Sequence, residues 1–453
     1  MNKELIRKYN TPGPRYTSYP TVPYWDAKEF DKEMWKNRVR ETFQHTNSSK
    51  GISLYLHLPF CESLCHYCGC NVRRTVNHDV EEKYISYLKK EWLLYLDLFD
   101  AMPQITEIHL GGGTPTFFSA ENLQDILGFI LNTATIHTNH SFSLEADPRH
   151  TNDEQLRTLF DLGFKRISLG IQDFDPKVEE AINRVQSFDL VKQVTQSARK
   201  IGYNSVNFDL IYGLPLQTDA TIEDTVNKTA ELRPDRIAFY SYAHLPQKIG
   251  VQRKINEADL PEGDEKRKLY ERGKELLEQH GYIEIGMDHF ALLEDSLTRA
   301  YNQKTLHRNF MGYGTTPTDL LVGLGVSSIG DSHNSFGQNQ KTIRNYEKAL
   351  DINDFPVFKG HLHSREDLII RKHILNLMCN FETSFENLED QTPFLTEALK
   401  KLSDPEKDGL IKIEKNTITV TDNGKPFIRN ICMALDAKLH REYNEKKVFS
   451  KTV

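Results

Sequence analysis

Seven short apolar runs, separated by longer stretches with helical patterning, place the strongest constraint on the fold of this chain. The runs begin at Ile52, Glu107, Ser141, Arg166, Ser205, Arg236 and Tyr282. Such alternation is typical of repeated βα units around a parallel sheet, whose strands are nearly continuously apolar because their faces are covered. The sequence therefore predicts an α/β fold in which six βα units form a partial barrel.

The two ends of the chain differ from this central pattern. Thr11 to Trp25 contains four prolines among three tyrosines, which excludes a long helix and predicts an arm packed on the body of the protein. After Gly360 the pattern becomes helical, with a hairpin predicted over 410–421. We expect an N-terminal arm and lead-in helix (1–45), a central domain (46–360) and a small, mainly helical C-terminal domain (361–453).

Helix signals lie between the apolar runs. A helix is predicted from about Asp79 to Asp97, with an apolar stripe that we expect to be core, formed by Tyr84, Leu88, Trp92 and Tyr95. A second helix begins at a capping box over 151–154 and ends near Gly163.

Each of the first six apolar runs is followed by residues that could bind a ligand or let one approach closely. They are the cysteines from Cys61, the glycines from Gly111 with Thr114, then Glu145 and Asp147, Gln172 and Asp173, Asp209, and Ala243 with His244. The carboxyl ends of strands build the active site of parallel βα barrels. The sequence therefore predicts one ligand-binding mouth.

Charge and hydropathy exclude several classes of protein. The formal net charge of -7 gives no long-range attraction to nucleic acid or to anionic lipid. No run is long and apolar enough to span a bilayer, and the first residues carry charges where a signal peptide needs an apolar stretch. We expect a cytoplasmic protein, and a monomer because no coiled-coil repeat appears.

Four of the six cysteines lie between Cys61 and Cys70 with the spacing C-x3-C-x2-C-x-C. Thiolates are the usual ligands of iron-sulfur clusters. Structural zinc is the alternative, although no second ligand pair is present, and a disulfide lacks an oxidising context. Cys379 and Cys432 stand in apolar surroundings and are predicted to be buried core.

Three cysteines on a four-iron cluster leave one iron open to a small molecule. C-x3-C-x2-C after the first strand, with a glycine-rich turn after the second, resembles the radical S-adenosylmethionine superfamily. There the amino and carboxylate groups of S-adenosylmethionine chelate the open iron, and an electron cleaves the sulfonium to give a 5'-deoxyadenosyl radical. The resemblance makes Cys61, Cys65 and Cys68 the metal ligands of a 4Fe-4S cluster.

A longer set of motifs narrows the resemblance. It comprises Gly13 to Pro20, Tyr55 to Cys61, Cys70, Gly286 to Ala291, His307 to Phe310, Asp319 to Leu321, Gly325 to Ser327 and Arg429 to Met433. With these motifs the chain resembles the oxygen-independent coproporphyrinogen III oxidase family over nearly its whole length. The resemblance implies an oxidoreductase of heme biosynthesis that oxidatively decarboxylates two propionates of coproporphyrinogen III to vinyl groups, giving protoporphyrinogen IX.

The same resemblance implies cofactor contacts and partners. Family members hold two S-adenosylmethionine molecules. Positions matching contacts to the cluster-bound molecule are Tyr55, Gly112, Glu145 and Ile329; those matching contacts to the second are Tyr67, Gly113, Thr114, Gln172, Arg184, Asp209 and Ala243. A reducing electron donor such as flavodoxin or ferredoxin is implied. From the residues alone, Arg184 could equally be a surface ion pair, Asp209 a helix cap, and Tyr55 and Ile329 ordinary core.

Three residues keep other hypotheses open. The roles of His57 and Cys70 are undecided, and Met311 stands where the family commonly has glutamine, whose hydrogen bonds it cannot make. A heme chaperone, or a radical enzyme acting on heme itself, is the alternative function. Cys70, the N-terminal arm and the long C-terminal match favour the oxidase.

Overall fold

The computed structural model of the chain describes residues 3–25, 27–28, 30–387, 392–441 and 449–452. The chain forms two compact units, each discontinuous in sequence. We call one the sheet unit, made of Ala27–Tyr282 and Thr316–Leu362, and the other the terminal unit, made of Met1–Asp26, Ile283–Thr315 and His363–Val453.

Six parallel strands form the centre of the sheet unit and neighbour one another in chain order. They are β1 (Ile52–Leu58), β2 (Gln104–Gly112), β3 (Thr135–Ala146), β4 (Phe164–Gln172), β5 (Ser205–Tyr212) and β6 (Arg236–Ser241). Beyond β1 lie the parallel β7 (Leu321–Leu324) and then, in antiparallel pairing, β8 (Ile329–Asp331), β9 (Ser335–Asn339) and β10 (Val357–Leu362). The predicted α/β fold with a partial barrel of βα strands is confirmed.

Helices connect these strands, as the alternating pattern predicts. They are Lys32–Thr46, Val80–Leu98, Ala120–Asn132, Asp153–Asp161, Pro176–Ala181, Phe188–Ile201, Asp219–Leu232, Gly263–Gln279 and Ile343–Asp351. The aromatic stripe of Val80–Leu98 is buried as predicted, with Trp92 fully enclosed. The capping box of Asp153–Asp161 is formed by Asn152 and Gln155, one position later than predicted, because the Thr151 hydroxyl instead donates to the Asp147 carbonyl at 2.7 Å.

One face of the central strands is polar although the strands are largely buried. Tyr55 of β1 pairs with His109 of β2, which pairs with Ser143 of β3. Alternate residues of a strand share a face, so Glu107, Gly111 and Glu145 lie on this same face. The opposite face carries Leu54, Ile108, Leu144 and their neighbours, all fully buried. The expectation of nearly continuous apolar strands is therefore wrong for the polar face.

The terminal unit joins both ends of the chain. Its helices are Lys3–Tyr9, Ser296–Asn302, Arg365–Asn380, Pro393–Lys401, Ser403–Lys407, Ile428–Ala434 and Ala437–Arg441. Its strands include the pair His307–Asn309 and Gly312–Gly314, and the three-stranded sheet of Glu382–Ser384, Thr417–Val420 and Ile411–Glu414, which contains the predicted hairpin. Two further strands are Tyr282–Gly286, which begins at the last residue of a sheet-unit segment, and His289–Leu292.

Residues distant in sequence share the core of the terminal unit. Tyr16 and Tyr19 of the proline-rich arm pack with Ile374, Leu377 and other residues of the C-terminal helices. The arm is therefore packed, as expected, and Cys379 and Cys432 are buried as predicted. The predicted boundaries 1–45, 46–360 and 361–453 stay a prediction.

Within the residues that the structure describes, every helix is too short or too polar to cross a bilayer.

Candidate active site

A cavity of about 280 Å³ opens at the carboxyl ends of the central strands, and the cysteine loop forms one of its walls. The loop is fixed at both ends. Phe60–Cys61 pairs in parallel with Arg73–Arg74, and the His66 N–H donates to the Ile182 carbonyl at 2.8 Å. Cys61, Cys65, Cys68 and Cys70 all line the cavity.

The four thiols differ in their surroundings. Burial raises the pKa of Cys61 to about 12, although its Sγ lies 3.3 Å from the Thr114 hydroxyl. A hydrogen bond from Cys70 lowers the pKa of Cys68 to about 7, and the same contact raises that of Cys70 well above its ordinary value. Cys65 is buried and receives a hydrogen bond from Nη1 of Arg184 at 3.6 Å. Cys70 thus contacts one of the three predicted cluster ligands, Cys68.

Asp147 lies beside the loop between two arginines. Its Oδ2 accepts from Arg184 Nη1 at 2.9 Å and from Arg149 Nη2 at 2.7 Å. Burial alone would raise the pKa of Asp147, but the charges and hydrogen bonds of Arg184 and Arg149 outweigh it and hold the pKa well below its usual range. Two cations and one ionised carboxylate therefore leave a net positive charge at this wall of the cavity.

Two further carboxyl groups line the cavity in different states. Burial would raise the pKa of Glu145, but His109 and the Gly112 N–H bring it below its usual range. Burial, and then the charge of Glu145, raise the pKa of Asp209 to about 7. Asp209 accepts hydrogen bonds from Ser168 and Asn207, each at 2.9 Å. The cavity is therefore lined by an ionised carboxylate, Glu145, and by a carboxyl group that titrates near neutral pH, Asp209.

The glycine turn after β2 is required by close packing. Gly112 has φ +113, and a Cβ there would lie 2.8 Å from the His57 ring. A Cβ at Gly113 would lie 2.8 Å from the backbone of Pro59 and Phe60. Both values are shorter than carbon atoms tolerate, so these glycines allow the turn to seat against the cysteine loop.

Most of the predicted site residues meet at this cavity. Besides the three cysteines, those lining it are Tyr67, Gly112, Gly113, Thr114, Glu145, Gln172, Arg184 and Asp209. Tyr55, Ala243 and Ile329 are not among the lining residues. Tyr55 lies close behind the lining: its ring carbon would be 3.1 Å from a Cβ at Gly111, and its hydroxyl is 3.2 Å from His57 Nδ1.

His57 is a buried, fully hydrogen-bonded histidine. Its Nε2 is 2.8 Å from the Asn71 carbonyl, which can only accept, so Nε2 carries the proton and Nδ1 accepts from Tyr55. Burial lowers the pKa of His57, which keeps the ring neutral. His57 thereby connects Tyr55 to the backbone of Asn71, the residue that follows Cys70.

Three residues beside the predicted set escaped the sequence reasoning. Arg149 belongs to Asp-Pro-Arg directly after β3, and its position next to a strand end was the available signal. His109 lies two residues before Gly111, and the alternation Glu107, His109, Gly111 indicated a shared face. Gln252 gave no local signal. Its Nε2 donates to the carbonyls of both Tyr67 and Ala243, at 3.0 and 3.1 Å.

Comparison with known proteins agrees with this geometry. Residues 55–229 match the Radical SAM superfamily model. The chain is 39% identical to oxygen-independent coproporphyrinogen III oxidase of Helicobacter pylori over 99% of both chains, and 37% identical to that of Escherichia coli over 99% of this chain and 98% of the relative. The solved coproporphyrinogen III oxidase from Escherichia coli, described as a radical SAM enzyme, superposes with a TM-score of 0.90 at 36% identity, covering 97% of this chain and 99% of that one.

The chain belongs to the oxygen-independent coproporphyrinogen III oxidase family. As a radical SAM member of that family it is an oxidoreductase whose cofactors are a 4Fe-4S cluster and S-adenosylmethionine. The donor set fits both groups. Three thiols line one cavity, and the buried Nε of Arg184 has no hydrogen-bond partner among the described residues, which leaves a donor for a ligand carboxylate.

Within the described part of the chain, no three His, Cys, Asp or Glu side chains are arranged to hold a single metal ion. This finding does not count against a cluster in the coproporphyrinogen oxidase site. Each cysteine of a four-iron cluster binds a different iron, so the three sulfurs need not converge on one point.

Proposed function

We propose that this chain converts coproporphyrinogen III to protoporphyrinogen IX, with Cys61, Cys65 and Cys68 as the cluster ligands. The observation that carries the proposal is the shared cavity. It brings the three thiols, the glycine turn and the unpartnered Arg184 Nε together in a chain related over its whole length to named oxidases. When bound, the cluster supplies the electron that cleaves S-adenosylmethionine to the 5'-deoxyadenosyl radical.

In each of the two decarboxylations the β-carbon of a propionate gives a hydrogen atom to the 5'-deoxyadenosyl radical, which becomes 5'-deoxyadenosine. The carboxylate then leaves as carbon dioxide, one electron passes to an acceptor outside the chain, and a vinyl group remains. The chain contributes position and charge. Glu145, ionised and hydrogen-bonded to the Gly112 N–H, is an acceptor for an amino group, and the glycine turn brings that N–H next to the cysteine loop.

The chain accommodates two S-adenosylmethionine molecules in this proposal. Tyr55, Gly112, Glu145 and Ile329 contact the cluster-bound one. Tyr67, Gly113, Thr114, Gln172, Arg184, Asp209 and Ala243 contact the second. The free Nε of Arg184 offers a charge-assisted hydrogen bond to a carboxylate, and Asp209 offers acceptors to hydroxyl or amino groups.

A direct assay tests the reaction. The reconstituted protein is given S-adenosylmethionine, an electron source for the cluster, an electron acceptor for the substrate radical and coproporphyrinogen III, without oxygen. We expect protoporphyrinogen IX and carbon dioxide. An intact cluster with no product would overturn the oxidase proposal; tight stoichiometric heme binding would then favour a carrier, and methylated or ring-opened heme would favour an enzyme acting on heme.

Serine variants test the cluster ligands. Cys61→Ser, Cys65→Ser and Cys68→Ser should each lose the iron-sulfur absorbance. Cys70→Ser, two positions after the last predicted ligand, should retain it. Buried Cys379→Ser is a further control outside the loop. Full absorbance in all three ligand variants would refute the assignment.

Equilibrium dialysis tests the stoichiometry of S-adenosylmethionine. Wild-type protein should bind two equivalents per cluster, and Arg184→Gln should bind one with unchanged cluster absorbance. One equivalent in the wild type would contradict the second site.

The remaining expectations belong to this proposal. We infer a reducing donor such as flavodoxin or ferredoxin, a monomer, and a cytoplasmic location. Sedimentation of the reconstituted protein tests the oligomeric state, and reduction of the cluster by each purified donor tests the partner.

A further inference from the structure

One buried arginine of the terminal unit lacks acceptors for its donors. Arg308 pairs with Tyr313 across the short strands His307–Asn309 and Gly312–Gly314, and only 5% of it is exposed. Among the described residues, neither Nε nor Nη1 of Arg308 has a hydrogen-bond partner. The guanidinium carbon lies 4.5 Å from the centroid of the Tyr313 ring. That contact places an aromatic face against the cation, but it supplies no acceptor for the N–H groups on Nε and Nη1.

Among the described residues, the ionisable side chains that interact with Arg308 or with Tyr313 beside it are either neutral or paired with another charge. Burial raises the pKa of Cys379 to about 12 and those of Cys432 and Tyr313 well above their ordinary values, so all three are neutral at pH 7. Asp288, whose charge also reaches Tyr313, pairs with Arg15. An unpaired buried cation is destabilising, which indicates that an anion from outside the chain completes this site.

Arg429 of the same unit shows what a structural arginine looks like in this fold. It is 6% exposed, and its Nε donates to the Pro14 carbonyl at 2.9 Å while Nη1 donates to the Lys451 carbonyl at 2.8 Å. Its Nη2 donates to the Gly13 and Ser450 carbonyls. Arg308 and Arg429 are similarly buried, but of the two only Arg429 has acceptors for its Nε and Nη1 among the described residues.

We propose that Arg308 is a carboxylate-binding residue that takes one propionate of the tetrapyrrole substrate, an inference that rests on the proposed function. A guanidinium presents two parallel donors that match the oxygens of a carboxylate. Coproporphyrinogen III carries a propionate on each of its four pyrrole rings, and two of these do not react. Those two carboxylates persist through the reaction and need partners in the enzyme. The carboxylate of S-adenosylmethionine has its own candidate donor in Arg184.

Binding of coproporphyrin III, the air-stable oxidised form of the substrate, tests this assignment by fluorescence titration of the reconstituted protein. Arg308→Gln should raise its dissociation constant about ten- to a hundred-fold. Arg308→Lys should restore part of the affinity because it keeps the charge. In turnover, Arg308→Gln should raise KM for coproporphyrinogen III with a smaller change in kcat, and the dissociation constant of S-adenosylmethionine should not change.

Arg429→Lys is the matched control, because it also removes buried hydrogen bonds but should lower only the melting temperature. Unchanged coproporphyrin affinity in a folded Arg308→Gln protein overturns the proposal, as does weakened S-adenosylmethionine binding with unchanged coproporphyrin binding. Wild-type protein that binds coproporphyrin through Arg308 without turning over its reduced form contradicts the oxidase function and supports the carboxylate site. Wild-type protein that binds no coproporphyrin contradicts both.

Discussion

Asp147 carries the negative charge that pairs with Arg184 and Arg149 beside the cysteine loop. Arg184 and Asp147 are 6% and 8% exposed at their side chains, and Arg149 is 17% exposed. Burying this many charges is favourable only while they are paired, because each charge loses its hydration. Arg184 Nη1 also donates to Cys65 Sγ, so the ion pair between Arg184 and Asp147 holds this N–H against one of the predicted cluster ligands.

Asp147→Asn removes the negative charge that pairs with both Arg184 and Arg149. We expect the free energy of unfolding to fall by about 3 kcal/mol, the cost of leaving buried charges unpaired. Chemical denaturation without oxygen measures it. Arg272→Gln, which breaks exposed pairs with Glu223 and Glu275, should stay close to wild type. Equal stability of Asp147→Asn and wild type would show that the arginines do not depend on Asp147.

Gln252 holds Tyr67 and Ala243 in one arrangement, and only 1% of it is exposed. Gln252→Leu keeps the volume but leaves two carbonyls without their donor. We expect the second S-adenosylmethionine to bind about ten-fold more weakly, the cost of one or two buried hydrogen bonds, with the first unaffected. Isothermal titration resolves the two. Gln279→Leu, on an exposed helix end, is the control, and equal weakening of both molecules would argue against a positioning role.

Single residues of the site were predictable where a local pattern identified them. The cysteine spacing and the polar strand ends located Cys61, Gly112, Glu145 and Asp209. Gln252 was not predictable, because a glutamine within the short 3-10 helix Gly250–Lys254 resembles any surface glutamine until the chain folds. Tyr55 and Ile329 came from family resemblance alone, whereas Ala243 also follows the sixth apolar run. The ligand contacts of all three stay a prediction.

Among the elements, helix Val80–Leu98 does more than cover the sheet. Glu91 lies on its apolar stripe, between Leu88 and Tyr95, and is fully buried. It accepts hydrogen bonds from the Gly325 N–H at 2.7 Å, from Asn339 at 2.6 Å and from Tyr346 at 2.6 Å. A charged residue on an apolar stripe was a visible signal of this role. The helix thereby fixes the turn that leads from β7 to Ile329.

The buried Glu91 makes this anchor sensitive to pH. Burial raises its pKa from 4.5 to about 7 in the folded chain, although its three hydrogen bonds oppose the shift. The folded state therefore binds a proton that the unfolded state has lost, and stability falls as pH rises from 4.5 through about 7. The loss amounts to about 3 kcal/mol.

The Glu91→Gln variant has no carboxyl group at this position, so its free energy of unfolding should lack this dependence on pH. We expect the difference in the free energy of unfolding between wild type and Glu91→Gln to change between pH 5 and pH 8, in favour of wild type at the lower pH. Denaturation at four pH values in this range measures it. A constant difference would show that Glu91 has the same pKa in both states.

The strands show why element boundaries are harder to predict than element types. The runs beginning at Ile52, Ser205 and Arg236 start where the strands do. β3 begins at Thr135, six positions before the predicted Ser141, because its first half is mostly exposed and polar and therefore has no apolar pattern. Backbone pairing with β2 extends the strand there instead, as Gln104 aligns with Thr135.

At the scale of the whole molecule, the terminal unit is the feature that local patterns could not predict. Hydrophobic periodicity reports which residues are buried, not which distant segments bury one another. The sequence indicated that the proline-rich arm packs on something, but Tyr16 contacts Asp436 through a hydrogen bond of 3.1 Å across 420 positions. The two ends of the chain thus belong to one core.

Arg429 connects these ends, which makes their common stability testable. Its guanidinium donates to Gly13 and Pro14, 416 and 415 positions away, and to Ser450 and Lys451. Arg429→Met leaves buried carbonyls without donors, so we expect faster hydrogen exchange in residues 11–20 and 428–441 together, measured by mass spectrometry. Arg441→Met, which breaks an exposed pair with Glu366, is the control and should leave both segments protected. Faster exchange in only one of the two segments would show that the ends open independently, and equal acceleration in β1 would show that the effect is global unfolding.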